Sequence, residues 1–280
     1  MNTIVIGSHG QLGKEICSRL PEGSYYPATR QDIDLINIAS IAPFIRQYSP
    51  ELVINCAAYN RVDDAEKDVN TAFAVNAFGI GELAKACESV SAVLVHFSTD
   101  YVFGCDTHRT SPYCESDRPG PVSTYGISKL TGEYFVQAYC SKHYVLRTCG
   151  LYGKHGVGGK GGNFVETMLK LAQSGKTIRV VDDQRLTPSS ASDVAEAALA
   201  LIKECPYGLY HLTNSDHCSW YEFAKAIFAM KLLPADLQPI SSKEYNSPAL
   251  RPSYSVLISE HPAIPKLRPW HDALADYLNR

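Results

Sequence analysis

A tyrosine and a lysine stand four positions apart, at Tyr125 and Lys129, downstream of an apolar run that ends at Thr99. Residues with this spacing share one face of a helix, so the phenol and the ammonium are expected to point into one cleft. A tyrosine phenol titrates near ~10 in water, and a neighbouring ammonium is expected to lower that pKa. With the Thr99 hydroxyl holding a substrate oxygen, the set predicts protonation of a carbonyl oxygen during hydride attack.

Two elements must hold these residues in place. The apolar run 92–98 predicts a strand leading into Thr99, and residues 121–124 predict the start of a helix at Tyr125. Both groups are therefore expected near one edge of a sheet. The Tyr-x-x-x-Lys spacing is weak evidence alone in a chain with 17 Tyr, and this context raises its weight.

The N-terminus has the pattern of a dinucleotide site. Residues 3–6 are a short apolar run, followed by a turn with Gly7, Gly10 and Gly13 and then by helical periodicity over residues 14–20. Gly7 permits the tight turn, Gly10 lets the backbone approach a pyrophosphate, and Gly13 lets the helix pack on the strand. The spacing is Gly-x-x-Gly-x-x-Gly rather than Gly-x-Gly-x-x-Gly.

Length, composition and charge limit the classes of protein to which this chain can belong. With 280 residues and 45% apolar content, the chain is long enough to bury a substantial core. A formal charge of -3 gives no electrostatic footprint for nucleic acid. No apolar run approaches the ~20 residues that span a bilayer, and the first residues lack a signal-peptide pattern. We expect cytoplasmic residence, no membrane or nucleic-acid partner, and a monomer or homodimer.

The cysteines and histidines suggest no metal site. The 9 Cys are scattered and the 9 His form no ligand pattern with them, so no metal is expected. Cys105 and Cys114 flank a loop and are close enough in sequence to pair, but an odd count in a cytosolic enzyme favours free thiols.

Apolar strands alternate with helical stretches along the first half of the chain. The predicted strands lie near residues 24–29, 52–55, 92–98 and 144–147, and the predicted helices near 38–48 and 70–90. This alternation predicts an α/β fold, a Rossmann-type doubly wound parallel sheet with ligands at the carboxyl ends of its strands. We expect residues 1–150 to form this dinucleotide-binding domain, which also receives residues near 176–212, and residues 151–280 to form mainly a small substrate-binding lobe.

Beyond Thr148 the alternation loosens. A glycine-rich loop at residues 153–162 lacks the Gly-Lys-Ser/Thr ending of a nucleotide P-loop, and it is expected to be either a substrate lid or an unconstrained surface loop. Later helices are predicted near residues 163–174, 192–205 and 220–230, and later strands near 178–181 and 208–212.

Several short runs together form a specific pattern. They are Gly7-x-x-Gly10-Gln-Leu-Gly13, Val53-Ile-Asn-Cys-Ala-Ala58-Tyr, Val62-Asp-Asp-Ala-Glu66, Ala74-Val-Asn76, Ser98-Thr-Asp-Tyr-Val-Phe103, Tyr125-Gly-x-Ser-Lys129-x-x-Gly-Glu133, Leu146-Arg-Thr148, Asp183-Gln184 and Arg251-Pro252. In these runs the chain resembles, over essentially its full length, the dTDP-4-dehydrorhamnose reductases, which are extended short-chain dehydrogenases/reductases.

The resemblance implies NAD(P)H-dependent reduction of the C4 ketone of a nucleotide-linked 4-keto-6-deoxyhexose, most closely dTDP-4-dehydrorhamnose to dTDP-rhamnose. It implies Thr99, Tyr125 and Lys129 as the catalytic set. The residues expected to bind the cofactor, besides Tyr125 and Lys129, are Gly7, His9, Gly10, Gln11, Leu12, Arg30, Asp32, Ala57, Ala58, Tyr59 and Asn76. The residues expected to bind the substrate are Asp100, Tyr101, Asn163, Arg185 and Arg251.

The cofactor preference rests on two residues near the second strand. Arg30 stands where an NAD-preferring site would usually place an acid, so it predicts a preference for NADPH through the 2′-phosphate. Asp32 lies close by, and it would accept hydrogen bonds from an unphosphorylated ribose and so allow NADH. His9, inside the glycine turn, is expected either to touch the cofactor or to face water.

The substrate residues also keep alternatives. Asp100 is expected to position the sugar or to cap a turn. Asn163, Arg185 and Arg251 are expected on the nucleotide-diphosphate side, where a helix N-terminus and two guanidinium groups suit the charge. The alternative is that Asn163 caps its helix and the arginines tie the lobe to the sheet.

One departure from the family pattern and two rival classes, a sugar-nucleotide dehydratase or epimerase and a non-catalytic regulatory subunit, bear on the function. Cys149 and the residues after it stand where relatives often have a Trp, so a sugar-facing ring is missing there. Sugar-nucleotide dehydratases usually follow the threonine with Asp-Glu, whereas Tyr101 follows Asp100 here and removes the base. A non-catalytic regulatory subunit would tolerate loss of the catalytic set, so an intact Thr99, Tyr125 and Lys129 favour turnover.

Overall fold

The structure is a computed structural model that describes residues 2–154, 162–264 and 266–279. The strands are β1 (Thr3–Ile6), β2 (Tyr25–Ala28), β3 (Leu52–Asn55), β4 (Val93–Thr99), β5 (His143–Thr148), β6 (Leu151–Tyr152), β7 (Ile178–Val181), β8 (Arg185–Leu186), β9 (Ser189–Ser190), β10 (Gly208–His211), β11 (Cys218–Ser219) and β12 (Leu237–Ile240). The helices are α1 (Gln11–Cys17), α2 (Ile38–Tyr48), α3 (Val62–Ala65), α4 (Val69–Phe73), α5 (Gly79–Ser89), α6 (Thr124–Tyr139), α7 (Phe164–Ala172), α8 (Ala191–Glu204), α9 (Trp220–Met230), α10 (Ser242–Tyr245) and α11 (Trp270–Asn279).

Six parallel strands form the central sheet in the order β10-β5-β4-β3-β1-β2. Apolar residues of α2, α5 and α6 pack on one face, and those of α1 and α8 pack on the other. The chain order reverses between β1 and β3, which is the point where such sheets bind ligands outside the carboxyl ends of the strands. The predicted doubly wound parallel sheet is therefore confirmed.

Most predicted elements have nearly the predicted bounds, but the helix expected over residues 70–90 is three segments. A π-helical segment (Ala74–Phe78) separates α4 from α5. It carries Asn76, whose side chain is buried and binds both backbone groups of Tyr59. A π-helical turn of this kind re-aims a side chain within a helix, and here it turns an amide towards the loop after β3.

The second half of the chain divides between the sheet and a small lobe. The helix α8 and the strand β10 pack with the central sheet, whereas β7 pairs with β12. Helices α7, α9 and α11 enclose the lobe's own apolar core, which includes Val165, Phe223, Ile227 and Leu274. Of the predicted glycine-rich loop, residues 155–161 lie outside the described part of the chain. Nowhere in that described part is a helix both long and apolar enough to cross a membrane.

A buried ion pair joins α6 to the middle of the sheet. Arg147 on β5 donates to both carboxylate oxygens of Glu133 on α6, at 2.6 Å from Nη2 to Oε2 and 2.9 Å from Nε to Oε1. The Ser98 hydroxyl on β4 donates to the same carboxylate at 2.5 Å. Arg147 and Glu133 are almost fully buried. Removing one partner would leave the other charge buried without a counter-charge. The pair therefore fixes the positions of β4, β5 and α6 relative to one another.

Glu133→Gln is expected to lower the free energy of unfolding by about 3–5 kcal/mol, because the amide leaves the buried Arg147 guanidinium without a counter-charge. Denaturant unfolding followed by circular dichroism measures the loss. Glu82→Gln, which breaks the exposed Glu82–Lys85 pair on α5, is the matched control and should change stability little. Equal losses in the two variants would contradict the structural role of the buried pair.

Candidate active site

The start of α6 is held by polar contacts that fix where Tyr125 emerges. Ser123 caps the helix by accepting the Gly126 N–H at 3.2 Å. Glu66 accepts from the backbone N–H and the hydroxyl of Thr124 at 2.8 and 2.9 Å. The first turn therefore has little freedom, and the Tyr125 phenol enters a cavity that Thr99 and Lys129 also line.

Tyr125 stands at a wall of this cavity with its ring against another tyrosine. The Tyr101 ring lies edge-on, with 5.6 Å between the ring centroids. Burial raises the pKa of Tyr125 to about 12, and a hydrogen bond with Thr99 offsets only part of this rise. The expected lowering of this pKa is wrong for this structure, because burial of the phenol is the largest effect on it.

Lys129 is fully enclosed above the sheet. Its Nζ donates to the Phe97 carbonyl oxygen at 2.7 Å and lies 3.4 Å from Nε2 of His96. Burial lowers the pKa of Lys129 to about 8, although the nearby Glu133 carboxylate acts in the opposite direction. The amine is thus close to its titration point at neutral pH, as a group that exchanges protons requires.

Asp100 ties the end of β4 to two other segments. Its Oδ1 accepts from the Thr99 hydroxyl at 3.1 Å, and its Oδ2 accepts from Cys149 Sγ at 3.1 Å and Ser255 Oγ at 2.6 Å. Burial raises the pKa of Asp100, and these three hydrogen bonds oppose the rise. The carboxylate is used within the protein and holds Thr99 in position, so its contact with a sugar stays a prediction.

Three connected cavities run along the carboxyl edge of the sheet. The catalytic cavity, of about 420 Å³, contains Thr99, Tyr125 and Lys129. The β2 cavity, of about 330 Å³, lies beside β1 and β2 and shares Ala58 and Asn60 with the catalytic cavity. The lobe cavity, of about 430 Å³, extends under α7 and α9. Each volume is in the range of small-molecule sites, and together they form one long cleft.

The glycine turn lies at the junction of the first two cavities. Gly7 has a φ of +75° and lines the β2 cavity, and a Cβ there would come within 2.7 Å of the Ala57 nitrogen. Gly10, Gln11 and Leu12 line the catalytic cavity. The turn thus lets the β1 backbone approach the β3 loop and leaves a smooth wall. His9 is exposed and lines none of the three cavities.

Arg30 and Asp32, which are expected to bind the ribose of the cofactor, differ in how far their polar groups are already bonded within the protein. Arg30 lines the β2 cavity with a side chain 74% exposed and is paired with Asp34 at 3.2 Å. Asp32 accepts from Thr29 N, Thr29 Oγ1 and Tyr26 OH at 2.7, 2.7 and 2.8 Å. The Thr29 hydrogen bonds hold the pKa of Asp32 below its ordinary value. Asp32 therefore stays ionised at the surface, and both of its oxygens accept hydrogen bonds from neighbouring residues.

The loop after β3 provides Ala57, Ala58 and Tyr59, which line the β2 cavity. Asn76 holds this loop by accepting from Tyr59 N at 2.8 Å and donating to Tyr59 O at 2.9 Å. The same amide donates to Ser128 Oγ on α6 at 3.1 Å. Asn76 is thus placed to support the loop and lines neither of its adjoining cavities.

Two of the three residues expected on the diphosphate side are not brought to the cleft. Asn163 caps α7 and donates to the carbonyl of Gly153 at 2.8 Å, which uses its amide internally. Arg185 pairs with Glu222 at 2.6 Å at the start of α9 and lines none of the three cavities. Arg251 does line the lobe cavity, where Asp63 of α3 binds its guanidinium at 2.8 Å.

Three rings form an aromatic wall of the cleft; the sequence analysis predicted Tyr101 as a substrate residue but did not predict the other two. Trp220 and Phe164 stand at the starts of α9 and α7, 4.6 Å apart between ring centroids, and with Tyr101 they line both the catalytic and the lobe cavity. An aromatic residue is missing after β5, and two rings from the lobe line the same cavity instead. Their only signal in the sequence was an aromatic residue directly after a helix cap.

The structure shows no metal centre among its described residues. No group of at least three His, Cys, Asp or Glu side chains there is arranged to hold an ion. All 9 cysteines fall within those residues and are free thiols.

Comparison with known proteins gives a consistent picture. A family model described as RmlD substrate binding domain matches residues 1–280. The chain is 40% identical to the spore coat polysaccharide biosynthesis protein SpsK of Bacillus subtilis (strain 168), over 98% of this chain and 96% of that protein.

Two crystal structures show the same fold at full length. The dTDP-4-dehydrorhamnose reductase of Clostridium acetobutylicum is 39% identical with a TM-score of 0.93, over 100% of this chain and 99% of that one. The dTDP-4-dehydrorhamnose reductase of Bacillus anthracis str. Ames, solved in complex with NADP, is 36% identical with a TM-score of 0.92, over 99% and 98% of the chains.

Proposed function

The chain belongs to the RmlD substrate binding domain family, and from this membership we propose that it is an NADPH-dependent reductase of a nucleotide-linked 4-keto-6-deoxyhexose. The reaction we propose is dTDP-4-dehydrorhamnose to dTDP-rhamnose, the activity for which the two related crystal structures are named. The observation that carries the proposal is the convergence of Thr99, Tyr125 and Lys129 in a cavity continuous with the glycine turn.

The residues present fit a dinucleotide. The glycine turn has no side chain where a pyrophosphate would lie, and a Cβ at Gly7 would meet the Ala57 backbone. The Ala57–Tyr59 loop lines the β2 cavity, and Arg30 is available at its rim for a 2′-phosphate. When bound, NADPH supplies the hydride for C4. The reductase of Bacillus anthracis was solved in complex with NADP, which supports this choice of cofactor.

The protein's own contribution is a proton held at Tyr125. Because burial raises the pKa of Tyr125 to about 12, the phenol keeps its hydrogen at neutral pH and can donate it to the ketone oxygen as negative charge develops there. Lys129, whose pKa is near 8, is then the group from which the phenolate can recover a proton. Thr99 lies beside the phenol and orients the same oxygen.

The lobe side of the cleft suits the remainder of the substrate. Trp220 and Phe164 present flat apolar surface where the catalytic and lobe cavities meet. Arg251 lines the lobe cavity and is partly exposed there. An aromatic wall with a guanidinium nearby is suited to a pyrimidine base and a diphosphate, so we place the nucleotide of the substrate in the lobe cavity.

Tyr125→Phe is expected to lower kcat about 10²–10⁴-fold, because it removes the proton donor and keeps the ring. Oxidation of NADPH with dTDP-4-dehydrorhamnose, followed by absorbance, measures kcat, and fluorescence titration should give an unchanged Kd for NADPH. Tyr134→Phe, at an exposed tyrosine of the same helix, is the control and should keep full activity. Near wild-type turnover in Tyr125→Phe would refute the assignment.

Arg30→Ala is expected to raise the Kd for NADPH about tenfold, as for the loss of one charge-assisted hydrogen bond, and to leave the Kd for NADH nearly unchanged. Fluorescence titration with each cofactor measures the difference. Arg46→Ala, at an exposed arginine of α2 outside the β2 cavity, should change neither Kd. Equal losses for NADPH and NADH would show that Arg30 does not bind the phosphate.

Arg251→Ala is expected to raise KM for the sugar nucleotide about tenfold, because it removes a charge-assisted contact from the lobe cavity. Steady-state kinetics at saturating NADPH measures it. Asp63→Asn breaks the same ion pair but keeps the guanidinium, so it reports the structural part of the loss.

Arg185→Ala is the comparison variant. Because Arg185 pairs with Glu222 outside the cleft, the substitution is expected to lower the melting temperature slightly and leave KM unchanged. A raised KM in Arg185→Ala with an unchanged melting temperature would instead place Arg185 in the substrate site.

A further inference from the structure

A buried row of polar side chains leads from the sheet to Lys129. Asn55 on β3 and His96 on β4 are register partners on adjacent strands, and both are fully buried. The His96 ring lies between the Asn55 amide and the amine of Lys129. The proposed reaction assigns no role to either Asn55 or His96.

The backbone fixes the orientation of the Asn55 amide. Ala57 N–H donates to the amide oxygen of Asn55 at 3.2 Å. The opposite orientation would place the NH₂ group against this N–H, so that two donors would face each other without an acceptor. The Asn55 oxygen therefore faces Ala57, and its Nδ2 faces Nδ1 of His96 at 3.0 Å.

This orientation determines which nitrogen of His96 carries the hydrogen. An amide nitrogen only donates, so Nδ1 of His96 must accept from it. Burial holds the pKa of His96 well below its ordinary value, so the ring is neutral and carries one hydrogen. That hydrogen is then on Nε2.

Nε2 faces the amine of Lys129 at 3.4 Å. An ammonium group has three donors and no acceptor, so it repels an N–H, whereas a neutral amine has a lone pair that accepts one. The Phe97 carbonyl oxygen, at 2.7 Å, accepts a hydrogen from either form. Of the two groups within hydrogen-bond distance of Nζ, His96 is thus the one that distinguishes the two forms of the lysine.

We propose that His96 is a positioning residue for Lys129: held by Asn55 with its hydrogen on Nε2, it offers the amine a donor and favours the uncharged lysine. Other groups act on the same amine. Cys56 lies on the β3 side, Tyr125 is one turn earlier on α6, and Glu133 is one turn later with its charge paired to Arg147. Of these, Glu133 and, to a smaller extent, Cys56 favour the ammonium.

The consequence for catalysis rests on the proposed function. A lysine that loses its proton easily can take one from solvent and return it to the Tyr125 phenolate after each turnover. A lysine held permanently as an ammonium would stabilise the phenolate and oppose its reprotonation. His96 would therefore set how readily Lys129 releases its proton.

The first test uses the wild-type protein without cofactor or substrate. The two nitrogens of a neutral histidine ring are distinguished by their ¹⁵N chemical shifts, and the His96 signal is identified by its absence in His96→Gln or by assignment through the backbone. We expect hydrogen on Nε2 and none on Nδ1. Hydrogen on Nδ1 would overturn the proposal, whatever the enzyme's activity.

Asn55→Asp is the variant that should reverse the tautomer at nearly constant shape. A carboxylate can accept from both Ala57 N–H and Nδ1–H of His96, so the ring hydrogen moves to Nδ1 and Nε2 becomes an acceptor for the ammonium. The pKa of Lys129, near 8 in the wild type, should rise by about one unit, a tenfold change in proton affinity. Titration of the lysine ¹³Cε signal, identified with Lys129→Met, measures it.

A second variant separates the tautomer from the added charge. In the His96→Gln background, Asn55→Asp adds the same carboxylate but cannot act through the ring. If the pKa of Lys129 rises equally in both backgrounds, the effect is electrostatic and the proposal fails. If it rises only with His96 present, and only in samples whose ring hydrogen is on Nδ1, the proposal holds. These spectra contain no substrate, so they decide it even if the proposed reaction is wrong.

Discussion

The Arg147–Glu133 ion pair is the constraint on which the active site depends. Two charges that are almost fully buried persist only when each is compensated, and here the carboxylate accepts from Arg147 and from Ser98 at 2.5 Å. Ser98 immediately precedes Thr99, and Glu133 lies one turn after Lys129. The pair therefore sets the height of α6 over β4 and β5, and with it the position of the lysine and the threonine beside the same tyrosine.

Burial then shapes the chemistry of these positions. The same exclusion of water that surrounds the ion pair raises the pKa of Tyr125 and lowers that of Lys129. Both shifts favour the neutral form, so the resting site holds a phenol and a lysine that readily becomes an amine. In the proposed reaction, negative charge develops on the ketone oxygen as the hydride adds, and the phenol proton neutralises it there, so the site is matched to the transition state rather than to the ground state.

The sequence predicted the fold well because the signals that define it are local. The helix α2 and the helix α9 have the predicted bounds, since the hydrophobic periodicity lies within the segments themselves and a capping box of Ser219 and Glu222 marks the start of α9. The π-helical segment (Ala74–Phe78) was not predicted, because its reason is the contact of Asn76 with Tyr59, which lies 17 positions away. Tertiary contacts of this kind have no periodic signature.

The same distinction applies within the site. Thr99, Tyr125 and Lys129 line one cavity, and their places at a strand end and on one helix face could be predicted from local geometry. Arg185 suits an anion by residue type, and the sequence alone does not show which anion. The folded lobe brings Glu222 within 2.6 Å of Arg185 and so provides its partner. His96 lies within an apolar run of the sequence. Its contacts with Asn55 and Lys129 depend on the packing of β3, β4 and α6, which the sequence does not show.

These contacts show that the sheet and the lobe hold their side chains in different ways. The sheet supplies the groups whose separation must be exact for proton transfer, and they are fixed by buried polar bonds. The lobe supplies Trp220 and Phe164, which contact the catalytic cavity from separate helices and are held mainly by apolar packing. Apolar packing tolerates substitution better than a buried ion pair. If the proposed placement of the nucleotide is right, changes in the lobe would therefore alter which sugar nucleotide binds and leave the catalytic groups of the sheet unchanged.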